Sequence, residues 1–424
     1  MGSVSEPKWS KLDNAAKIFP STSSKKDPKV FRFSCELTEQ VDGQVLQFAL
    51  DRTMEKFPFY RSVLKKGLFW YYFEDSTRRP VVQPEVLPPC APIYSADQKG
   101  LLFRVSFYAR RINLEVYHAI SDGTGALHFL RTLTYYYLLE RHSADFLAGP
   151  PAFDYDASQS QKRDDSFSRY YEKKPKAYQS KAVKAYHQYG ERWPDNRISI
   201  VEGRMSVQAL LALSHRYHAT LTEFLTALLI LSIRQTMGLR ETSRPVVITI
   251  PVNLRNYFPS DTARNFFSVI NLGYDFSRQA PSLEEAVVFV RERFQAQLTA
   301  DNLKKRIDEL SALEHNLLTQ LVPLILKDPV LRVADYLAER GITAAFSNVG
   351  KVAMPLEMAK YIDSFHVFTS TARLQACMCS FQDHFTISFS SPFVSTDVQR
   401  AFFRQLTAEG IAVEVMSNQE QFVL

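Results

Sequence analysis

Apolar and polar residues alternate through "FRFSCEL" (31–37), the period of a strand with one buried face. The period then lengthens to that of a helix through "DGQVLQFALDRTMEKF" (42–57). "GLFWYYFE" (67–74) predicts another strand, and "LLFRVSFYARRINLEVYH" (101–118) predicts two strands around a polar turn at Arg110 to Asn113. An apolar-faced helix follows in "GALHFLRTLTYYYLLE" (125–140). The second half repeats the alternation. "SVQALLALSHRYH" (206–218) predicts a helix, and "TLTE" (220–223) is a capping box that opens a buried helix ending at Gly238. "PVVITIPVNLRNYFP" (245–259) predicts a buried strand with a proline-bounded turn, and a long amphipathic stretch runs from Ser282 to Lys327. "ITAAFSNVGKVAMP", "IDSFHVFTS", "LQACMCSF" and "HFTISFSSPF" predict successive strands, before the helix "TDVQRAFFRQLTAEG" and a short strand "IAVEVM".

Two runs of mixed strands and helices, in a chain of 424 residues, predict an α/β protein of two domains. We place the first at 1–155 and the second at 198–424, joined by a basic segment at 156–197. Between Lys162 and Arg197 lie ten Lys/Arg against five Asp/Glu, most of the formal charge of +6. Aromatics interleave with these cations, a pattern also met in nucleic-acid binders; a solvated linker is the plainer reading, and no nucleic acid is expected. Lys173 and Lys174 are the candidates for an anion-attracting rim. The most apolar stretch, "LTEFLTALLILSIRQTMG" (221–238), is interrupted by Glu223 and Arg234, so no membrane span is expected. The opening residues lack an apolar run after a basic start, and four cysteines are few for this length, which together fit a reducing cytoplasm. Cys377 and Cys379 fall on one face of a predicted strand and read as packed thiols; no metal site is expected.

The chemistry concentrates in "HAISDG" (118–123). A strand ending in His118 projects an imidazole, whose ordinary pKa suits proton transfer near neutrality, from a rigid backbone. If 118–122 were helical, His118 and Asp122 would share a face; Ser121, Gly123 and Gly125 favour a turn instead. Asp122 then organises the turn and needs a cation, while Gly123 permits backbone geometry that a side chain would obstruct. No GxSxG elbow and no phosphate-binding P-loop occurs, which disfavours hydrolase and nucleotidase readings.

"HAISDG" resembles the HxxxDG motif of the chloramphenicol acetyltransferase-like superfamily, which includes BAHD acyltransferases, condensation domains and alcohol acetyltransferases. "KFPFYRSVL", "ATLTEFLTALL", "IPVNLR" and "FSNVG" resemble other family segments in the same order, and "KLDNAAKIFPS" is most similar to bacterial alcohol acetyltransferase-like proteins. The resemblance implies a two-domain fold, each domain a mixed β-sheet flanked by helices, with an active-site tunnel at the interface. It implies an O-acyltransferase in which His118 is general base and an alcohol or amine acceptor attacks an acyl-CoA, with acetyl-CoA the expected co-substrate and no permanently bound cofactor. It gives Asp122 a structural role paired to an arginine, Arg255 preferred over Arg61. Ser347 and Asn348 become candidate oxyanion donors. Tyr117 replaces the first histidine of condensation domains, and the late DFGWG of plant BAHD enzymes is missing. An acyl carrier protein as donor, and a non-catalytic binding member of the fold, are the rival readings.

Overall fold

The computed structural model describes residues 9–95, 99–153, 166–172, 184–277, 281–315 and 322–419. Three sheets form among them. A five-stranded sheet has the order β12 (Ile362–Thr369), β2 (Val30–Leu37), β7 (Arg111–Tyr117), β6 (Phe103–Tyr108), β5 (Gln83–Pro84). A seven-stranded sheet has the order β10 (Phe267–Tyr274), β9 (Val246–Asn253), β11 (Ala344–Lys351), β13 (Leu374–Phe381), β14 (His384–Ser391), β8 (Ser199–Ser206), β15 (Glu414–Ser417). A small third sheet joins β1 (Trp9–Lys11), β4 (Tyr71–Asp75) and β3 (Ser62–Lys66).

Helices cover these sheets where the apolar period predicts them. Gly43–Lys56 is capped by Asp42, whose carboxylate accepts from the Gln44 and Val45 amides, and it packs with Gly123–Arg141 against the first sheet. Leu221–Thr236 opens on the Thr220–Glu223 capping box and buries Phe224, Leu225, Leu228 and Leu229 in the second core. The stretch read as one amphipathic run from Ser282 to Lys327 divides into Leu283–Gln297 and Ala300–His315, and a further helix Leu324–Glu339 extends past it. The polar turn expected at Arg110 to Asn113 is tighter, at Ala109 and Arg110, because Arg111, Ile112 and Asn113 already pair with β6.

One strand changes sides. β12 belongs by chain position to the second half, yet it runs antiparallel to β2, with Phe365 opposite Cys35 and Val367 opposite Phe33. No single cut in the chain therefore separates the two large sheets. The pairing of Val30 with Tyr117 ends the β2–β7 ladder, and the His118 amide donates to the Lys29 carbonyl at 2.9 Å. His118 thus leaves the sheet beside the space between the two large sheets.

Candidate active site

The imidazole of His118 is half-buried in an aromatic collar. Phe19 stacks on it at 4.7 Å between centroids, Phe31 meets it edge-on at 4.9 Å, and Phe267 lies at 5.6 Å. Its Nδ1 is 3.1 Å from Oδ1 of Asn265. The orientation of that amide is fixed from behind, because Nδ2 of Asn265 donates to the Asp13 carboxylate at 3.2 Å. Oδ1 must therefore face His118 and accept, so Nδ1 carries the proton and Nε2 keeps its lone pair. Asp13 is fully buried; it also accepts from the Ala16 amide at 2.7 Å and lies 3.5 Å from Nε of Arg264. Neither Asn265 nor Asp13 stands out in the sequence.

Residues 118–122 form a turn, and Asp122 caps the helix Gly123–Arg141 by accepting from the Gly125 amide at 3.0 Å. Its other oxygen accepts from Nη1 of Arg255 at 2.7 Å and from the Phe266 amide at 2.9 Å. Arg255 spends its remaining donors on the carbonyls of Thr262 at 2.9 Å and Arg264 at 2.7 Å. A near-buried carboxylate and guanidinium thus clamp the loop 262–266, which carries Asn265, onto the turn that carries His118. Arg61 is not part of this clamp; its charge bears on Asp51.

The glycine requirement falls elsewhere than expected. A Cβ on Gly123 would meet Phe33 at 3.9 Å, an ordinary contact, whereas a Cβ on Gly125 would lie 2.0 Å from the Ala263 carbonyl oxygen and 2.3 Å from Oγ of Ser121. Ser121 donates to that same carbonyl at 2.6 Å. Gly125, not Gly123, lets the helix start pass beneath the loop.

A cavity of about 930 Å³ opens beside His118, lined from both large sheets by Phe31, Phe33, Thr249, Pro251 and Val367 among others. Ser347 and Asn348 of β11 also line it. The Asn348 amide is committed, donating to Thr222 at 2.8 Å and accepting from Gly350. Lys173 and Lys174 lie outside the described residues. Cys377 and Cys379 are buried and free, with Cys379 donating to the Phe365 carbonyl. Among the described residues there is no cluster of three or more His, Cys, Asp or Glu able to hold a metal, and no helix long and apolar enough to cross a membrane.

This architecture is shared with solved structures. TRI101 of F. sporotrichioides, complexed with coenzyme A and T-2, superposes with a TM-score of 0.64 at 13% identity over 96% of this chain and 99% of that one. The first condensation domain of the CDA synthetase gives 0.62 at 13% identity, over 98% and 100%. Polyketide synthase associated protein 5 from Mycobacterium tuberculosis gives 0.59 at 14% identity, over 94% and 96%. Such identities establish the fold. No curated protein sequence matches the chain. The sequence model of the alcohol acetyltransferase family matches residues 166–398, the part that supplies Arg255, Asn265 and Ser347 but not His118. That match spans more than half of the chain, which therefore belongs to the alcohol acetyltransferase family.

Proposed function

We propose that the protein transfers an acyl group, the acetyl group foremost, from a coenzyme A thioester to the hydroxyl of an alcohol, with His118 as general base. The observation that carries the reading is the fixed tautomer of His118: Nδ1 is held by Asn265, and Nε2 is left to accept a proton at the wall of a cavity of about 930 Å³. In this reading Nε2 takes the hydroxyl proton as the alcohol oxygen attacks the thioester carbonyl carbon. The Ser347 hydroxyl donates to the resulting oxyanion. The C–S bond then breaks, the ester forms, and the imidazolium returns its proton to the departing thiolate. Asp122 and Arg255 are positioning residues that hold the base-bearing turn against the loop of Asn265. The basic segment around Lys173 and Lys174 would meet the phosphates of the donor.

The test is release of free coenzyme A thiol from acetyl-CoA in the presence of a panel of alcohols. His118→Ala should lower turnover by about a hundred- to ten-thousand-fold, while the melting temperature stays near that of the wild type. Activity within about threefold of wild type would remove His118 from the chemistry.

A further inference from the structure

Helix Leu324–Glu339 is built inside out. Its protein-facing side holds Leu324 but also Asp328, which is 4% exposed and accepts from Ser21 at 2.7 Å, Lys66 at 2.9 Å and Tyr71 at 3.1 Å. Its outer side carries Ile325 at 76% exposure, Leu326 at 61%, Val330 at 67%, Val333 at 59%, Tyr336 at 65% and Leu337 at 49%. Steps of four, three and four residues from Leu326 to Val330, Val333 and Leu337 place these on one stripe. A surface helix normally turns such a stripe to the core, so an outward one marks an interaction surface.

The stripe continues onto the β3–β4 turn. The Leu324 amide donates to the Leu68 carbonyl at 2.9 Å and Lys327 to the Phe69 carbonyl at 3.1 Å. Leu68 is 69% exposed, and Trp70 carries the ammonium of Lys327 at 3.6 Å and that of Lys17 at 5.6 Å from its ring. Exposed aliphatic side chains bordered by tryptophan, tyrosine and lysine are what the headgroup boundary of a bilayer accommodates. Arg332, Asp335, Tyr336 and Glu339 of the same helix line the cavity of His118. Of the carboxylates on that side, Glu339 pairs with Arg373 at 3.0 Å, and Asp335 is partly withdrawn from solvent between the charges of Lys29, Glu339 and Asp27.

We propose that the outer face of helix Leu324–Glu339, with the turn at Leu68 to Trp70, seats on an anionic lipid surface and brings the cavity mouth to a membrane-dissolved, long-chain alcohol. The nature of the acceptor rests on the acyltransferase reading above; the lipid contact does not. A strip of one sixteen-residue helix is about 24 Å by 10 Å, well short of the roughly 800 Å² per partner of a stable protein interface. A fluid surface needs no such matched area.

The full-length protein is to be sedimented with phosphatidylcholine vesicles and with mixed phosphatidylcholine–phosphatidylglycerol vesicles, beside a V330E/V333E variant. Neither valine lines the cavity. The wild type should partition onto the anionic vesicles, more weakly at high salt, and the variant should lose about tenfold or more of that partition. Turnover of a short water-soluble alcohol should be equal in the two, whereas turnover of hexadecanol carried in anionic vesicles should fall in the variant. Equal sedimentation of variant and wild type, or no sedimentation of either, overturns the proposal. So does light scattering that shows a wild-type dimer and a monomeric variant, since a second copy would then own the face. Sedimentation is scored without turnover, so it stands or falls apart from the chemistry assigned to His118.

Discussion

Burial of the His118 ring lowers its pKa from the ordinary 6.5, and the nearby Lys29 charge pushes the same way. Its bonds to its own backbone and to Asn265, and the charge of Asp122, offset part of that shift. In the proposed role of general base His118 is competent when unprotonated, so kcat/KM should stay level through neutrality and fall as the pH drops through this lowered value. The acid limb is expected below pH 6.5. Asn265→Asp would set a carboxylate against Nδ1, favour the imidazolium and move that limb upward; an unmoved limb would show that Asn265 does not govern the base. His118 and Asp122 were legible in the sequence because they share the short spacing of "HAISDG", and Arg255 was reached only through the family resemblance of "IPVNLR". Asn265 and Asp13 were not legible: "TARNFF" carries neither period nor spacing, the family-like "KLDNAAKIFPS" does not mark Asp13 within it, and their bond joins positions 252 residues apart.

Among the elements, the start of helix Gly123–Arg141 depends most on a single missing atom. Gly125 lies against the backbone carbonyl of Ala263, which cannot swing aside as a side chain would. Gly125→Ala must push the loop 262–266 away and pull Asn265 from His118. Its melting temperature should fall by the equivalent of about 1–3 kcal/mol or more, with turnover falling too. Gly123→Ala should remain close to wild type in melting temperature. Thermal melts of the two variants decide this, and equal stability would mean that the loop yields freely. The sequence displayed two glycines and no means of choosing between them, since the clash comes from a segment 138 residues away. Caps were easier, because the Thr220–Glu223 box is local. The edge strand β10 has no counterpart in the sequence reading although its burial alternates. Placing β12 required knowing its partner rather than its period.

Across the whole molecule, the side-changing strand carries a buried charge cluster that ties the two large sheets together. His366, fully buried on β12, sets Nδ1 3.1 Å from Glu202 of β8 and Nε2 3.5 Å from Glu36 of β2. Arg111 of β7 bridges the same two carboxylates at 2.9 Å and 3.0 Å, and Ser388 of β14 donates to Glu202 at 2.8 Å. Burial disfavours the charged form of His366, yet the charge and hydrogen bond of Glu202, with the bond to Glu36, outweigh it and raise the pKa above 6.5. The hydrogen bond from His366 chiefly, and then Arg111, hold Glu36 down at about 2. Glu202 is also lowered: burial opposes this, and His366 and Arg111 overcome it. A raised histidine stabilises fully below its unfolded pKa of 6.5 and loses that contribution as pH climbs through the raised value. The lowered carboxylates stabilise above their unfolded 4.5 and lose it as pH falls through their depressed values. All three contributions coincide between those limits, so on the alkaline side the joint between the sheets should weaken. Melting curves from pH 6 to pH 9 test this. The wild type should lose stability across that range, and His366→Gln, which can keep hydrogen bonds but takes no proton, should start lower and stay nearly level. Removing one partner of such a buried group typically costs about 3–5 kcal/mol, enough to see at pH 6. Parallel curves for the two proteins would place the alkaline sensitivity outside this cluster.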